Sequence, residues 1–494
     1  MALEINLSKE KNKINKIDLE KRKTTFDEVV CGYDENFAVS EAKRCLDCKN
    51  HPCTSGCPLN NYIPEFMKCV AKSDFEGAYK LIKEKSNFPS VCSRVCDQKS
   101  QCEGKCTRGL NGEPVAIGMV ERFVTDWYSK NYADNFSENF TTEISLKNNQ
   151  KTQNDSLFNE KTLKSDIFTQ NFNNNSNKIA IIGSGPSGLA CGEDLAKLGY
   201  DVTIFEKNEY LGGVMFYGIP DFRLPREVVL REIQKVANLG VKFIKGKVLG
   251  KDFSLDVLFS DGFKCVYIAT GADSPKLMGI EGENLDGAML AQNFLQDVKV
   301  NGNKLSNYSF KDKIITVVGG GNVAIDSART AVRLGAKSVQ IIYRRSAEEM
   351  PARKDEINEA IEEGVIFNYL THPVRILPKS SNDNQVGGLE CVKMKLGEPD
   401  EKGRKRPIQI EGSEHFVKTD FVIFAIGSSV GDEIKKLSSE IAQSYGLILV
   451  SDETGETSKK AVYAGGDVVT GPKTVVHAVK AGKNVAKSID KMFQ

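Results

Sequence analysis

The sequence predicts an α/β protein: two doubly wound domains, each built on a parallel sheet, preceded by an α-helical, cysteine-bearing domain. Three observations predict it. KIAIIGSGPSGLACGEDLAKLGYDVTIFEK (178–207) reads as strand, glycine turn, helix, strand. KIITVVGGGNVAIDSARTAVRLGAKSVQIIYRRS (313–346) repeats that grammar, and two such units imply two doubly wound domains. Ahead of both, nine of the thirteen cysteines crowd between Cys45 and Cys106, among stretches with helical spacing of apolar residues.

At 494 residues the chain exceeds one hydrophobic core. A composition of 40% apolar and 27% charged residues is ordinary for a globular protein. A net charge of +1 gives no global field to attract nucleic acid. Lys21-Arg22-Lys23 reads as a solvated basic arm. No apolar stretch approaches the roughly 18 residues of a membrane span. The start MALEINLSKE lacks a signal-peptide core. A cytoplasmic protein is expected, and reduced thiols there favour metal over disulfides.

Residues 1–130 form the helical domain. IPEFMKCVAKSDFEGAYKLIKEKSNFP (63–89) and AIGMVERFVTDWYSK (116–130) both carry helical periodicity, and the second holds Trp127, the sole tryptophan. Residues 131–177 are rich in Asn, Ser, Thr and Lys and poor in aliphatics, so a flexible linker is expected. The first α/β domain opens over 178–285, and the second occupies 286–427. CVYIATGAD (265–273) and FVIFAIGSS (421–429) echo each other as buried strands, ending near Gly271 and Gly427. AVYAGGDVV (461–469) is a further strand lying after the second unit, so residues 428–494 are expected to return to the first domain.

The first turn, Gly183-Ser184-Gly185-Pro186-x-Gly188, leaves a strand and opens a helix. Such glycines let backbone N–H groups approach a pyrophosphate at the helix N-terminus. Glu206 ends the next strand, where its carboxylate can accept from a ribose hydroxyl, with Lys207 beside it. The second turn, Gly319-x-Gly321-Asn322-Val323-Ala324, lacks that acid. Its following strand ends at Arg344-Arg345 instead, which suits a 2′-phosphate and so NADPH rather than NADH. Gly466-Asp467, followed by a helix starting near Thr474-Val475, can hold the ribityl phosphate chain and ring edge of a flavin. Because this late element completes the first domain, FAD belongs with Gly183 and Glu206, and NADPH with the inserted domain. LGGVMFYGIPDFRLP (211–225), containing Gly212, Gly213 and Arg223, is expected to line the flavin.

The cysteines form two runs, Cys45-x2-Cys48-x4-Cys53-x3-Cys57-Pro58 and Cys92-x3-Cys96-x5-Cys102-x3-Cys106. Thiolates so spaced bind soft metal, and two runs suggest two [4Fe–4S] clusters. Zinc is the competing ligand, but two redox nucleotides make an electron path useful. In two-cluster ferredoxins the Cys before Pro ligates the other cluster. By that logic Cys57 joins Cys96 and Cys102, and Cys106 joins Cys45, Cys48 and Cys53. The last ligand is then Cys92 or a group that is not cysteine.

Taken together, RCLDCKNHPCTSGCPLNNYIPEF, VCSRVCDQKSQCEGKC, GSGPSGLA, GGVMFYGIPDFRLP, GGGNVAIDSARTAVRLGA, YRRSAEEMPAR and AGGDVVTGPKTVVHAV resemble the small subunit of NADPH-dependent glutamate synthase and its relatives, the large subunit of ferredoxin-linked NADPH oxidoreductases among them. The cysteine segment is also similar to that of dihydropyrimidine dehydrogenase. The resemblance implies two Rossmann-like domains, FAD, NADPH and two [4Fe–4S] clusters. It further implies that a carboxylate or amide replaces one cysteine, at the position of Glu121, with Cys92 as second choice. Only the Asn-rich 131–177 stretch departs from the family pattern.

The implied activity is electron transfer from NADPH through the flavin and clusters to a partner. Hydride transfer needs positioning rather than a general base, so no catalytic side chain is expected. The chain shows no site for releasing ammonia or reducing 2-oxoglutarate, so a large partner subunit is expected if this is a glutamate synthase chain. The alternatives are the large subunit of an electron-bifurcating NADH-dependent ferredoxin:NADP oxidoreductase, a sulfide dehydrogenase, or a non-catalytic electron-relay scaffold.

Overall fold

The computed structural model describes residues 5–132, 177–400 and 403–494. The expected linker at 131–177 therefore lies, apart from its ends, outside the described residues. Capping chemistry sets the helices of the N-terminal domain. Asp34 accepts from the Phe37 N–H ahead of Glu35–Ala42, and Asp74 accepts from the Gly77 N–H ahead of Phe75–Lys85. Pro64 and Pro89 occupy first-turn positions of Ile63–Ala71 and Pro89–Val95, where no N–H is needed. These helices and Ile117–Asn131 bury Phe66, Met67, Val70, Ile82, Val120 and Val124 between them. Phe75 meets Phe123 and Trp127 edge-on, with ring centroids 5.0 and 5.2 Å away.

Two five-stranded sheets follow, each parallel throughout. The first runs in the order Val462–Ala464, Phe263–Ile268, Lys178–Ile182, Asp201–Glu206, Lys242–Lys245. The second runs Ala288–Leu290, Phe421–Phe424, Ile314–Val318, Ser338–Tyr343, Ile366–Tyr369. The strand that ends at a fingerprint glycine is central in both, so each turn sits where the strand order reverses. Ligands of doubly wound sheets bind at that place. The late strand Val462–Ala464 pairs with Phe263–Ile268, and the final helix Val475–Phe493 packs on Pro186–Lys197. An antiparallel sheet of Thr371–Pro378, Val386–Pro399, Lys405–Gln409 and His415–Lys418 extends the second domain. This sheet lies within the 286–427 domain but carries no clear signal in the sequence.

The helical domain docks through Pro89–Val95. Phe88 and Val91 are fully buried in the core of the first α/β domain, with Leu189, Ile204 and Val229. Polar contacts frame them: Asn87 donates to Glu193 and Asp194 at 3.1 and 2.8 Å, and Ser90 donates to Glu232 at 2.6 Å. The N-terminal arm is not simply solvated, as its basic residues suggested. Arg22 is buried and pairs with Glu362 at 2.9 Å, while Lys16 pairs with Glu359 at 2.7 Å. The acids of helix Lys354–Glu362 supply the partners. Phe88→Ala should lower stability in denaturant unfolding by about 3–5 kcal/mol, the usual cost of emptying a phenylalanine site. A loss below about 1 kcal/mol would show that the helical domain does not share this core.

Candidate functional site

One cleft of about 1250 Å³ receives the carboxyl ends of both sheets. Gly183 holds φ +105°, and a Cβ there would stand 2.5 Å from the Ala269 carbonyl oxygen. Gly319 holds φ +148°, and its Cβ would stand 2.3 Å from the Ala425 oxygen. Only glycine fits either place. Gly185 and Gly321 are the residues before helices Pro186–Lys197 and Asn322–Arg333 and cap neither with a side chain. Both helices therefore open unpaired N–H groups toward the cleft, the arrangement a pyrophosphate uses.

In the first domain Glu206 is pinned rather than loose. Its Oε2 accepts from the Ser184 N–H and hydroxyl at 2.9 and 2.6 Å, and its Oε1 accepts from the Asn208 N–H at 2.9 Å. Gly183, Gly185, Pro186, Glu206, Lys207, Gly213, Arg223, Gly271, Asp467, Thr474 and Val475 all line the cleft. Ser184, Gly188, Gly212 and Gly466 stand behind its wall. Lys207 pairs with Asp273. Arg223, expected on the flavin, directs its guanidinium at Asp326 and Glu356 of the second domain. The buried Thr270 Oγ1 on the cleft wall has no partner among the described residues. With the first glycine turn and pinned Glu206, that orphaned hydroxyl fits a flavin dinucleotide. Burial pushes the Asp467 carboxyl up to about 6, although the Lys473 N–H donates to it at 3.1 Å.

In the second domain Gly319, Gly321, Asn322, Val323, Arg344, Arg345 and Gly427 line the cleft, with Ala324 behind them in the helix core. Arg344 is exposed, and no described carboxylate pairs with it or with Arg345. Arg345 is buried, and its Nε donates to the Lys405 carbonyl at 2.9 Å. Partial desolvation at the cleft, then the charges of Arg345 and Arg404, depress the otherwise exposed Arg344 guanidinium. Arg344 and Arg345, crowded together and without a carboxylate partner among the described residues, fit a 2′-phosphate. Arg404 and His372 also line this end and had no signal in the sequence, because the antiparallel sheet brings them there.

The cysteines divide by electrostatic neighbourhood, not by run. Burial lifts the Cys53 thiol to about 12, and Cys45 and Cys106 add to it. Burial also raises Cys45, with Cys106 and Cys48 contributing. Cys57 is raised by burial, then by Glu121 and Cys92. Cys96 is raised by a hydrogen bond with Cys92, then burial, then Glu121 and Cys102. Cys102 is raised by burial and feels Cys57 and Glu121. So Cys106 sits with the first three cysteines, and Cys57 sits with the second run. Glu121, on helix Ile117–Asn131, makes no hydrogen bond or ion pair among the described residues, and burial alone pushes its carboxyl to about 8. Among the described residues no three His, Cys, Asp or Glu side chains are grouped to hold a single metal ion. The thiolates of a four-iron cluster each bind a different iron, so they need not meet at one point. Raised, desolvated thiols and an orphaned carboxylate fit such a cationic group, which reverses those shifts when bound. Both Glu121 and Cys92 belong to the second group. Val95, between Cys92 and Cys96, lines the nucleotide cleft, so this group borders it.

Comparison with known proteins agrees with this layout. Residues 22–133 match the dihydropyrimidine dehydrogenase domain II, 4Fe-4S cluster family, and residues 177–482 match the pyridine nucleotide-disulphide oxidoreductase family. The chain is 34% identical over 483 residues to the glutamate synthase [NADPH] small chain of Escherichia coli, covering 95% of this chain and 94% of that one. It is 36% identical over 452 residues to the NADP(+)-dependent formate dehydrogenase subunit beta of Moorella thermoacetica, covering 90% of this chain but spanning only 60% of that relative's length. Mycobacterium tuberculosis FprA in complex with NADPH shares the fold, with a TM-score of 0.54 and 18% identity over 64% of this chain and 85% of that one.

Arg344→Ala should shrink the preference for NADPH over NADH in flavin bleaching by roughly 10- to 100-fold, the worth of one or two charge-assisted hydrogen bonds. An unchanged ratio would sink the 2′-phosphate reading. Asp467 gives a pH signature in flavin-free protein. Its folded pKa is raised, so the folded state holds the proton more tightly and loses stability as pH rises from 3.8 through about 6. Asp467→Asn should flatten stability across that window, and equal slopes in both proteins would refute the assignment.

Proposed function

The chain belongs to the pyridine nucleotide-disulphide oxidoreductase family and to the glutamate synthase small chains, and on that premise we propose that it passes electrons from NADPH through FAD and two [4Fe–4S] clusters to a partner subunit. The observation that carries the reading is the shared cleft. Both glycine turns, the unpaired Arg344–Arg345 end and Val95 beside the second cysteine group all face one cavity. When bound, NADPH and FAD supply hydride transfer, and the clusters supply single-electron steps.

The chain's own residues hold and exclude. Gly183, Gly185, Gly319 and Gly321 present backbone donors to two pyrophosphates. Glu206, fixed by Ser184, presents its remaining acceptor capacity to a ribose. Arg344, with Arg345 behind it, reads the 2′-phosphate. Cys45, Cys48, Cys53 and Cys106 hold the outer cluster, and Cys57, Cys96 and Cys102 hold the inner one with Glu121 or Cys92. No general acid or base is needed for hydride transfer between bound cofactors.

Near end-to-end coverage of the glutamate synthase small chain supports a large glutamine-using subunit as the partner. A reading as a spent scaffold is disfavoured by the intact glycine turns and the unpaired arginines. Anaerobic protein should carry about eight irons and bleach its flavin with NADPH. With the large subunit added, NADPH oxidation should become dependent on glutamine and 2-oxoglutarate. Stoichiometric zinc would end the cluster reading, and transfer only to a ferredoxin or small flavoprotein would end the glutamate synthase one.

A further inference from the structure

The segment Gly218–Arg226 belongs to the first α/β domain, where Leu224 is buried, yet Asp221, Phe222 and Arg223 direct their side chains at the second. Phe222, 1% exposed, lies beneath two guanidinium groups, with Arg329 Cζ 4.8 Å and Arg333 Cζ 3.9 Å from its ring centre. Arg223 Nη1 donates to both Asp326 oxygens at 2.8 and 2.7 Å, and its Nε reaches Glu356 at 3.0 Å. Lys299 pairs with Asp221 and donates to the Ile219 carbonyl at 3.0 Å. Behind these, Arg329 also pairs with Glu356, and it meets Glu359 and Glu363 at 2.9 and 2.8 Å. Arg333 meets Glu363 at 2.7 Å.

Two placements give this cluster a task. Gly213, Val214, Tyr217, Gly218 and Ile219 line the cleft where the flavin is expected, directly ahead of Asp221, Phe222 and Arg223 in the chain. Asp326, Arg329 and Arg333 stand on helix Asn322–Arg333, whose N-terminus is the second glycine turn. One helix therefore carries the expected nicotinamide-nucleotide cradle at one end and grips the flavin-lining segment along its side. Rotating one domain against the other would strip buried charges of their partners, which is strongly unfavourable.

We propose that Arg223, through Asp326 and Glu356, is a positioning residue that latches the two dinucleotide domains in the orientation where NADPH and flavin share one cleft. It acts on the alignment of the two sites and does not bind the flavin itself. The inference rests on the proposed electron path. Were NADPH unable to bleach the unaltered protein, that path would fail whatever the latch does.

The latch is tested with Arg223→Ala and Asp326→Asn. Misplacement by about 1 Å can cost on the order of 100-fold, so the limiting rate of flavin bleaching at saturating NADPH should fall at least roughly tenfold. The NADPH concentration for half-maximal rate should move less than about threefold, since the nucleotide contacts remain. Arg223→Lys should restore part of the lost rate. In flavin-free protein, amide exchange over 218–226 and 322–333 should quicken roughly tenfold or more as the interface opens. A bleaching rate within about twofold of the unaltered protein, with flavin retained, overturns the latch. So does loss of flavin from Arg223→Ala with exchange protection intact, because Arg223 would then be a flavin ligand. If Arg223→Ala does not fold, the near-isosteric Asp326→Asn decides by the same criteria.

Discussion

In each dinucleotide domain a backbone carbonyl stands where a side chain would begin. Ala269 presses on Gly183 and Ala425 presses on Gly319, at 2.5 and 2.3 Å from where a Cβ would lie. That closeness lets the central strand turn at once into its helix, with the helix N-terminus aimed past the sheet edge. Neighbouring strands supply both carbonyls, so each turn depends on the sheet, and the sheet order depends on each turn. Everything that faces the cleft is hung from these two crossings.

The electrostatics around them are one-sided. Helix N-termini and the Arg344–Arg345 pair present positive charge that no carboxylate among the described residues matches at one end. At the inner wall, thiols and Glu121 are desolvated without a cation. Both environments are costly for the protein alone, and each is relieved by a group of opposite character. The buried ion cluster around Arg223 differs, because its charges are already matched within the chain. That difference separates the places built for ligands from the place built for domain alignment.

Several parts of the site were legible because they are local. A glycine turn between a strand and a helix, an acid or arginine pair at the end of the next strand, and cysteines a few residues apart all declare themselves in short windows. The antiparallel sheet at 371–418 did not. Its strands carry charged residues on exposed positions and no strong alternation, and with it Arg404 and His372 went unread. Arg223 lies in the cleft wall as its neighbourhood in the chain suggests, but nothing local reveals its partner Asp326. Arg22 gives no local sign of burial for the same reason, because its partner Glu362 is distant in sequence, while Lys21 and Lys23 remain solvated.

The sequence by itself determined the two doubly wound units, the helical cysteine domain and the glycine turn that opens each nucleotide helix. These follow from periodicity, backbone requirements and ligand chemistry, which act over a few residues. Only the tertiary structure decided that Val95 brings one cysteine group to the cleft, and that Arg223 faces the other domain. Those outcomes depend on which distant surfaces exclude water together, and burial of charge is a property of the assembled fold.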